Sequence, residues 1–312
     1  MRAVDLAQEG AGAAMRTTIS QLRVLEAVAR TGSFSGAARE LGITQPSVST
    51  QLRAVEGQCK LKLIARDGHK IRVTRFGDTV LPKVRALLTI MNEIEDLLED
   101  ERSLKTGALR LGYSTDQFAM PVISRYMGAY PGIKLETRCM ASLDVVSHLK
   151  KGEFDAAFIT AKEPPDGLTV ERLRTDRIVL MVPADHPFAA RGQIGWGELA
   201  RCAIVCRETT SGTRIIFETA AKDSAVPLQP LIALGSWQSM RAGVLAGMGV
   251  GVALAGELDE SDRIKPVEID DPGLWASHYL ACLPEMREAT AVDRFFDVAS
   301  GFRDDVMTDR KT

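Results

Sequence analysis

The segment from Thr44 to Val55 combines an apolar stripe with small polar side chains that suit contacts with DNA bases. Val48, Leu52 and Val55 recur at helical spacing, which gives the predicted helix one narrow apolar face. The opposite face carries groups that match base edges, because Gln pairs with adenine, Arg with guanine, and Pro or the Thr methyl with the thymine methyl. The residues expected to contact DNA on this helix are Gln45, Pro46, Ser47, Ser49, Thr50 and Arg53.

Two helix signals precede this segment. Thr18 and Gln21 have the spacing of a capping box at the start of a first helix. A second helix, Ser33 to Leu41, is rich in small residues and ends at Gly42, after which the hydroxyl of Thr44 can cap the next helix. This order predicts a helix-turn-helix whose second helix lies in a DNA major groove.

A basic hairpin is predicted directly after these helices. Leu61–Ile64 and Ile71–Thr74 form two short apolar runs around a turn that contains Gly68. This hairpin, called the wing below, would bind the DNA backbone, since phosphate contacts position a protein on DNA without reading its sequence. The residues expected to contact phosphates are Arg39, Arg66, Lys70 and Thr74.

The charge of the chain is unevenly distributed. The 312 residues carry a formal net charge of -2, yet residues 16–75 contain eleven Lys and Arg against four Asp and Glu. The segment is therefore about +7 and the remainder about −9. A basic segment on an acidic body favours binding of a polyanion, and the helix-turn-helix inside it makes a merely solvated basic face the weaker interpretation.

A long helix with a heptad seam is predicted from Gly77. A seam of this kind packs either on its own chain or on a partner. Dimerisation is expected here, because one helix-turn-helix binds weakly and a two-fold partner doubles the contacts. The seam consists of Val80, Val84, Leu87, Met91, Ile94 and Leu98.

The rest of the chain alternates short apolar strands with helices, which predicts α/β sheets that are largely parallel and covered on both faces. The helices expected between the strands include Phe118–Tyr130 and Leu143–Lys151, with Ala291–Phe302 returning to the first lobe. The predicted strands are Ala108–Tyr113, Ile133–Arg138, Phe154–Ile159, Ile178–Val182, Ala203–Cys206 and Gly249–Leu254.

The predicted domain organisation has four parts. Residues 1–15 form a disordered extension, within which Met15 is an alternative start, and residues 16–76 form an all-α winged helix-turn-helix domain. Residues 77–106 form the linker and dimerisation helix, and residues 107–312 form a two-lobed α/β effector domain. Lobe I is expected at about 107–180 and 284–312, and lobe II at about 181–283.

Hydroxyl residues recur where an apolar strand ends and a helix begins. Any one of them is explained as an ordinary helix cap. Several helix N-termini that converge would instead favour an anion, because they present free N–H groups and the positive end of the helix dipole. The residues expected to bind a small effector are Ser114, Thr115, Ser142, Thr160, Thr209, Thr210, Ser211, Arg214 and Trp237.

An enzyme is not expected. The glycines of Gly247-x-Gly249-x-Gly251 lead into a strand instead of following one into a helix, so they do not form a dinucleotide fingerprint. The four histidines lie in unrelated settings, and the sequence predicts no catalytic residues, no cofactor and no metal site. The nearby pair Cys202 and Cys206 is expected to be two buried thiols, with a redox pair as the alternative.

The sequence contains no export or membrane signal that we recognise. No stretch approaches the ~20 apolar residues that span a bilayer. Asp5 and Glu9 interrupt the first fourteen residues, which lack the apolar core of a signal peptide. A cytoplasmic protein without membrane association is therefore expected.

The motif AAxxLxxTQPSVSxQLxxxE at residues 37–56 resembles the DNA-binding domain of LysR-type transcriptional regulators. The wing ending Val73-Thr74-x-x-Gly77 and the body phrase Val182-Pro183-x-x-His186-Pro187 support this resemblance. It implies an effector domain similar to type II periplasmic binding proteins, with a cleft between two lobes. It also implies dimers or tetramers bound to a two-part operator.

Three phrases of the body look most similar to regulators associated with 2-aminoethylphosphonate catabolism, within the same family. They are Arg207-Glu208-x-x-Ser211-x-Thr213-Arg214, the glycine-containing run Met240–Val252, and Tyr279-Leu280-x-Cys282-Leu283. Neighbouring subfamilies share these phrases.

The expected function is sequence-specific DNA binding that regulates transcription under the control of a small anionic effector. The expected partners are double-stranded promoter DNA, an effector of the phosphonate, sulfate or carboxylate class, and further copies of the chain in a homodimer or homotetramer. RNA polymerase is a further candidate partner. The alternative is a solute-binding receptor without DNA function, which would explain the body but needs an export signal and no basic head.

Overall fold

A computed structural model describes residues 17–59, 61–67, 70–99, 107–228, 230–258 and 263–303. The chain divides into two compact units, Met1–Met91 and Asn92–Thr312. The predicted extension at residues 1–15, the wing tip at Gly68 and His69, and the predicted end of the linker at residues 100–106 lie outside the described residues.

Three helices form the centre of the N-terminal unit, and Thr18 and Gln21 make the predicted capping box at the first of them. Their core contains Val24, Leu25 and Val28, all at most 1% exposed. Gly42 has a left-handed φ of 64°, a backbone conformation that glycine adopts without steric cost. The helices are α1 (Ile19–Thr31), α2 (Phe34–Glu40) and α3 (Gln45–Cys59).

The wing is an antiparallel pair of strands, β1 (Ile64–Asp67) and β2 (Lys70–Val73). The prediction for the first strand, Leu61–Ile64, was wrong by three residues. The backbone N–H groups of Leu63 and Ile64 donate to the carboxylate of Glu56, at 3.0 and 3.2 Å. Local propensity could not reveal these two bonds, which join Glu56 to residues seven and eight positions further along the chain.

The long helix α4 spans Arg75–Glu99 and begins two residues before the predicted linker. Its first half belongs to the core of the N-terminal unit, where Leu81 and Val84 are 3% and 5% exposed. Gly77 is required near its start, because a Cβ there would lie 2.4 Å from the carbonyl oxygen of Leu63.

The second unit is built around one continuous path of paired strands. In chain order its elements are β3 (Ala108–Tyr113), α5 (Asp116–Ala129), β4 (Lys134–Cys139), α6 (Ser142–Lys150), β5 (Ala156–Ala161), β6 (Thr169–Pro183), β7 (Gln193–Ile194), α7 (Trp196–Leu199), β8 (Ile204–Cys206), α8 (Gly212–Asp223), β9 (Pro230–Ala233), α9 (Trp237–Leu245), β10 (Val250–Leu254), β11 (Ile264–Ile269), β12 (Trp275–Cys282) and α10 (Thr290–Ser300).

Two lobes share the long strand β6. Its first part, up to Arg177, pairs with β12, whereas residues 178–183 pair with β10 and β11. Lobe I contains β4-β3-β5-β12 and lobe II contains β10-β8-β9 with β11 and β7. β3 pairs in parallel with β4 and β5, and β8 pairs in parallel with β9 and β10, but the pairing of β5 with β12 and every pairing of β6 are antiparallel.

The structure moves the predicted lobe boundary. Lobe II was expected to run to residue 283, yet β12 (Trp275–Cys282) pairs with β5 and with the first part of β6, in lobe I. The sequence also predicted only Ile178–Val182 of β6. Its first half alternates charged and apolar residues with partial burial, so it lacks the continuous apolar signal of the second half.

Candidate functional site

The apolar stripe of α3 faces inward as predicted. Val48, Leu52 and Val55 are 0%, 3% and 7% exposed and pack in the core of the N-terminal unit. Thr44 caps the helix by accepting from the backbone N–H of Ser47 at 3.4 Å. The stripe therefore fixes which face of α3 is turned to solvent.

The outward face of α3 carries the residues predicted to read bases. Gln45, Pro46, Thr50 and Arg53 are exposed, and Ser47 and Ser49 are partly exposed. The Gln45 side chain accepts from the hydroxyl of Ser35 at 3.1 Å, and the Ser47 hydroxyl accepts from Gln51 at 3.3 Å. The face thus presents hydrogen-bonding groups, one guanidinium and an apolar ring along a single helix surface.

Thr74 has a structural role that its predicted phosphate contact did not anticipate. Its hydroxyl donates to the carbonyl of Lys62 at 2.6 Å and accepts from the backbone N–H of Gly77 at 3.1 Å. The single donor of the hydroxyl is therefore occupied, and an acceptor group alone does not bind a phosphate. Of the other predicted phosphate contacts, Arg39 is exposed, while the side chains of Arg66 and Lys70 lie outside the described part of the chain.

Glu56 has a structural role that the sequence pattern alone did not reveal. Its carboxylate is 7% exposed, holds the first residues of the wing through Leu63 and Ile64, and pairs with Lys62 at 2.7 Å. The signal was present, since Glu56 follows Leu52 by one helical turn and so lies on the buried stripe. Glu56 joins the recognition helix to the wing.

The predicted seam of α4 has two different environments. Val80 and Val84 pack against the N-terminal core, so they are not free for a partner chain. Leu87 and Ile94 are 37% and 44% exposed, and Met91 between them is partly exposed. The side chain of Leu98 lies outside the described residues.

In the second unit, three helices begin at the cleft between the lobes without a side-chain cap. Among the described residues, neither Thr115 at α5 nor Ser211 at α8 caps its helix through its hydroxyl, and Ala141 at α6 has none. Ser236 at α9 behaves differently, because its hydroxyl accepts from the backbone N–H of Ser239 at 3.0 Å. The simple cap explanation therefore holds for α9 and fails for the other three helices.

A buried hydroxyl cluster lies where β3 and β5 end. Thr160 Oγ1 is 3.3 Å from Ser114 Oγ, 3.2 Å from Thr115 Oγ1 and 3.2 Å from His278 Nδ1. The other ring nitrogen, His278 Nε2, lies 3.1 Å from Asp176 Oδ2. All of these side chains except Asp176 are at most 6% exposed.

Charged groups behind this cluster have shifted pKa values. Burial acts to raise the pKa of Asp176, but hydrogen bonds from His278 and Arg174 outweigh it and hold that pKa below its usual value. Burial raises the pKa of the Glu257 carboxyl to about 7, although the Leu254 N–H donates to it at 2.9 Å. Asp176 is therefore a carboxylate, and Glu257 titrates near neutrality.

A cavity of about 660 Å³ opens between α6 of lobe I and α8 of lobe II. Its polar end contains Ser142, Thr160 and Gly212, and its apolar wall contains Leu143, Val146 and Ile215. The two lobes meet closely here, since a Cβ on Gly212 would lie 2.0 Å from the carbonyl oxygen of Thr160. The charged groups around it are Lys150, Lys162, Glu163, Asp166, Asp223 and Asp271.

The predicted effector residues do not all reach this cavity. Of those residues, only Ser142 and Thr160 line it; Ser114 and Thr115 are not part of the lining, although their hydroxyls lie 3.3 and 3.2 Å from that of Thr160. Thr210 donates to Asp144 at 2.8 Å, while Thr209 is exposed.

Arg214, Ser211 and Trp237 also lie apart from the cavity lining. Arg214 is occupied by the carbonyl of Arg207 at 2.6 Å and by Glu218 at 2.7 Å, so it is not a free clamp for an anion. The indole Nε1 of Trp237 is buried without a hydrogen-bond partner within the described ranges.

Two side chains that bridge the lobes were missed. Arg207 donates from lobe II to the carbonyl of Ser114 in lobe I at 3.4 Å, and Gln238 donates to Asp116 at 2.9 Å. Sequence pattern could not assign these roles, because each bond joins residues about a hundred positions apart. Such bonds connect the two lobes across the cleft.

Cys202 and Cys206 are consistent with the predicted pair of thiols that are at least partly buried, whereas Cys139 is exposed. Cys206 and Cys282 are buried and Cys202 is partly buried, and all three are free. Burial raises the pKa of the Cys282 thiol to about 12 and also raises the pKa values of Cys202 and Cys206. Within the described ranges, no helix has the length and apolar character needed to cross a membrane.

A helix-turn-helix unit joined to a two-lobed α/β domain defines a ligand-responsive DNA-binding protein, and comparison with known families specifies the class. Residues 19–78 match the bacterial regulatory helix-turn-helix model of the lysR family, and residues 102–302 match the LysR substrate binding domain. The chain belongs to the LysR family of DNA-binding transcriptional regulators with an effector-binding domain.

Curated relatives of the chain are transcriptional regulators. It is 29% identical over 236 residues to the regulator CbbR of Rhodospirillum rubrum, which covers 75% of this chain and 78% of the relative. It is 26% identical over 239 residues to the activator CmpR of Synechocystis, with the same coverages of 75% and 78%. Neither relative is described as a phosphonate regulator.

Solved structures confirm the predicted fold class. A full-length OxyR variant of Pseudomonas aeruginosa is similar with a TM-score of 0.74 at 19% identity, over 91% of this chain and 94% of that one. The regulatory domain of Synechocystis CcmR, solved in complex with 2-PG, has a TM-score of 0.59 at 22% identity, over 64% of this chain and 99% of that one.

Proposed function

We propose that this regulator binds a two-part promoter site through the outward face of α3 and changes transcription when a small anion binds between its lobes. The observation that carries the proposal is the division of α3 into a buried stripe and an exposed polar face. Base contacts are assigned to Gln45, Pro46, Ser47, Ser49, Thr50 and Arg53, and phosphate contacts to Arg39, Arg66 and Lys70.

Selection of bound sequences from a random DNA pool with the full chain tests the DNA-binding part. We expect enrichment of a motif with two half-sites, because a homodimer or homotetramer presents paired reading heads. If the pool stays random after selection, and the affinity of the chain for DNA varies with salt concentration but not with sequence, sequence-specific binding is contradicted.

We propose the cavity between α6 and α8 as the effector site. Its volume of about 660 Å³ suits a small molecule, and its lining combines an apolar wall with a few polar groups. The charged side chains around it are two lysines and four carboxylates, so net charge does not favour an anion, and an anionic group would instead be recognised through hydrogen bonds at the polar end, from Ser142, Thr160 and the starts of α6 and α8. The apolar part of the ligand would lie along Leu143 and Ile215.

A thermal-shift panel with the full chain tests this assignment. The panel contains 2-PG, which is bound in the CcmR structure, together with sulfate, a carboxylate series and 2-aminoethylphosphonate. We expect saturable stabilisation by at least one anion and its loss in Ser142→Val. The association with 2-aminoethylphosphonate stays a prediction that the relatives do not support, and stabilisation by that compound alone would restore it.

The remaining partners follow from DNA binding. A regulator that binds promoter DNA works beside the bacterial chromosome, hence in the cytoplasm, and contacts to RNA polymerase would transmit its effect. We expect no catalytic activity and no cofactor. A solute-binding receptor without DNA function is disfavoured by the match of residues 19–78 to the family's helix-turn-helix.

A further inference from the structure

The side-chain amide of Gln45, at the start of α3, is oriented by a neighbouring helix. Its Oε1 accepts a hydrogen bond from the hydroxyl of Ser35 on α2 at 3.1 Å. Both side chains are exposed, so this bond lies at the surface of the helix-turn-helix and not in its core. Because the amide oxygen is turned toward α2, the NH2 group is the end of Gln45 that has no partner among the described residues.

A second chain of hydrogen bonds lies on the other flank of α3. The hydroxyl of Ser20, on α1, donates to Gln51 Oε1 at 3.0 Å, and Gln51 Nε2 donates to the hydroxyl of Ser47 at 3.3 Å. Both ends of the Gln51 amide are thereby held. Ser47 uses a lone pair in this bond and keeps its proton, since a hydroxyl has one proton to donate besides two lone pairs.

The exposed face between these flanks presents donors and, in the described part of α3, no carboxylate. Arg53 is exposed, and a guanidinium only donates. Glu56 is the one acidic residue in the sequence of α3, and its carboxylate is buried and bonded to the backbone of Leu63. The groups that this face offers to DNA are therefore mainly hydrogen-bond donors.

The bases differ in the groups that such donors can meet in the major groove. Guanine presents the acceptors O6 and N7 and thymine presents O4, whereas the amino groups of adenine and cytosine only donate. A bidentate contact with adenine, which the residue type of Gln45 favours by itself, needs the oxygen of the amide as well as its NH2 group. The bond from Ser35 turns that oxygen away from the groove side of the amide.

We propose that Ser35 and Gln51 are positioning residues that make Gln45 and Ser47 hydrogen-bond donors toward DNA. The recognition helix then selects base edges with acceptor atoms, guanine O6 and N7 or thymine O4, instead of the amino groups of adenine and cytosine. The inference rests on the proposed function in one respect, that the outward face of α3 contacts bases.

The base pair that Gln45 contacts is located first. The full chain and its Gln45→Ala variant are compared by fluorescence anisotropy on an operator panel substituted one base pair at a time. The contacted pair, called the Gln45 pair below, is the one at which the variant loses its preference.

Base analogues then identify the atom that is read at the Gln45 pair. Loss of an acceptor, in deazaguanine without N7 or in a thymine analogue without O4, should weaken binding by about threefold or more. Loss of the amino group, in an adenine or cytosine analogue that lacks it, should leave the affinity unchanged. Each effect should vanish in Gln45→Ala, which controls for changes in the DNA duplex itself.

Ser35→Ala should change what Gln45 reads. Without the Ser35 hydroxyl the amide oxygen is free to turn to the groove, so we expect the preference at the Gln45 pair to fall by about threefold or more while the other base pairs keep theirs. Ser35→Thr retains a hydroxyl and should retain the preference. In the Gln45→Ala background, Ser35→Ala should have no effect on base preference.

Gln51→Glu tests the second flank. A carboxylate only accepts, so the proton of Ser47 would turn to it and the donor offered to DNA would be lost. We expect the same loss of base preference as in Ser47→Ala, together with weaker binding to all sequences from the added negative charge. Gln58→Glu is the matched control, because it adds this charge two turns further along α3 and can still accept from Thr17. Equal base preferences in Gln51→Glu and Gln58→Glu would exclude the role of Gln51.

The results distinguish this inference from the proposed function. Weaker binding on loss of an amino group at the Gln45 pair would overturn the role of Ser35 while base reading by α3 stands. A uniform loss of affinity in Ser35→Ala, or no change at all, would do the same. A selection that yields no motif, or a Gln45→Ala variant that keeps every base preference, would overturn the inference together with the base contact of Gln45.

Discussion

The hydroxyl of Thr210 in lobe II donates to the carboxylate of Asp144 in lobe I at 2.8 Å, and the carbonyl of Thr210 accepts from the backbone N–H of Leu143 at 3.1 Å. These bonds join the loop before α8 to the start of α6, at the polar end of the cavity. Any ligand that enters there competes with, or adds to, contacts that already hold the lobes together. If the effector binds there as proposed, the stability of these contacts should form part of the response to it.

Thr210→Val should weaken the closed arrangement. Valine keeps the shape but removes the donor to Asp144, so we expect the free energy of unfolding to fall by about 1 kcal/mol. All three tryptophans, Trp196, Trp237 and Trp275, belong to the second unit, so urea unfolding followed by their fluorescence reports this unit. The control is Thr209→Val at the exposed neighbour, and equal losses in the two variants would refute a specific role for Thr210.

Arg53→Ala should reduce affinity for the selected operator by about 1–3 kcal/mol and relax the preference at one base pair. The reason is that a guanidinium can hold the O6 and N7 atoms of guanine together. Fluorescence anisotropy with an operator panel, substituted one base pair at a time, gives the measurement.

Arg39→Ala is the matched control for Arg53. As a phosphate contact it should weaken binding to all sequences alike and make the salt dependence shallower by about one unit of slope. A uniform loss in Arg53→Ala as well would show that Arg53 does not read a base.

Gly77→Ala and Gly57→Ala should change the free energy of unfolding in opposite directions. A Cβ at Gly77 would lie 2.4 Å from Leu63 O and 2.6 Å from Val73 Cγ1, so we expect a loss of about 1–3 kcal/mol through displacement of the wing. A Cβ at Gly57 in α3 meets nothing within 4 Å, so the better helix propensity of alanine should add about 0.5–1 kcal/mol.

Far-UV circular dichroism during urea unfolding measures both glycine variants. The pair also separates wing position from helix stability, because Gly77→Ala should weaken DNA binding and Gly57→Ala should not. Tolerance of alanine at Gly77 without any change in stability or in DNA affinity would contradict the close contact.

Glu257→Gln should stabilise the second unit above neutral pH. The pKa of Glu257 is about 7 in the folded chain against 4.5 for an ordinary glutamate, so the folded state binds more protons between these values. Stability contributed by this group is therefore present at low pH and is lost as the pH rises from 4.5 through about 7. The loss amounts to about 3 kcal/mol at most.

Urea unfolding at several pH values checks the role of Glu257. The variant should exceed the unmodified chain at about pH 8 and lose the advantage toward about pH 5. A constant difference between the two proteins across this range would mean that Glu257 does not titrate as described.

Ile94→Glu should dissociate a dimer formed through the exposed half of the α4 seam. Ile94 is 44% exposed in the single chain, and a carboxylate there would be costly to bury against a partner helix. Light scattering during size-exclusion chromatography gives the mass. Asn92→Glu, on the opposite face of the helix, should leave the mass unchanged, and a dimer that survives Ile94→Glu would exclude this seam.

Sequence patterns predicted the elements that depend on local signals. The capping box at Thr18, the stripe of Val48, Leu52 and Val55, and the strand Ala108–Tyr113 are all found as expected. Each rests on spacing within a few residues, where periodicity and capping chemistry act directly.

Patterns were less informative where one side chain serves two elements. Thr74 was assigned to a phosphate because its type and position suit that role, whereas its hydroxyl joins the wing to α4. Arg214 was assigned to an anion, whereas it holds the carbonyl of Arg207. Polar side chains have many acceptable partners, so sequence alone does not decide which one is nearest.

By itself the sequence determined the helix-turn-helix, the solvent-facing polar side of its second helix and the alternation of strands and helices that makes two lobes, because these follow from periodicity, capping and charge. Only the tertiary structure decided that β12 returns to lobe I, that Glu56 holds the wing, and that His278 and Asp176 lie behind Thr160. Those contacts join distant parts of the chain, and their geometry depends on how whole elements pack rather than on any local pattern.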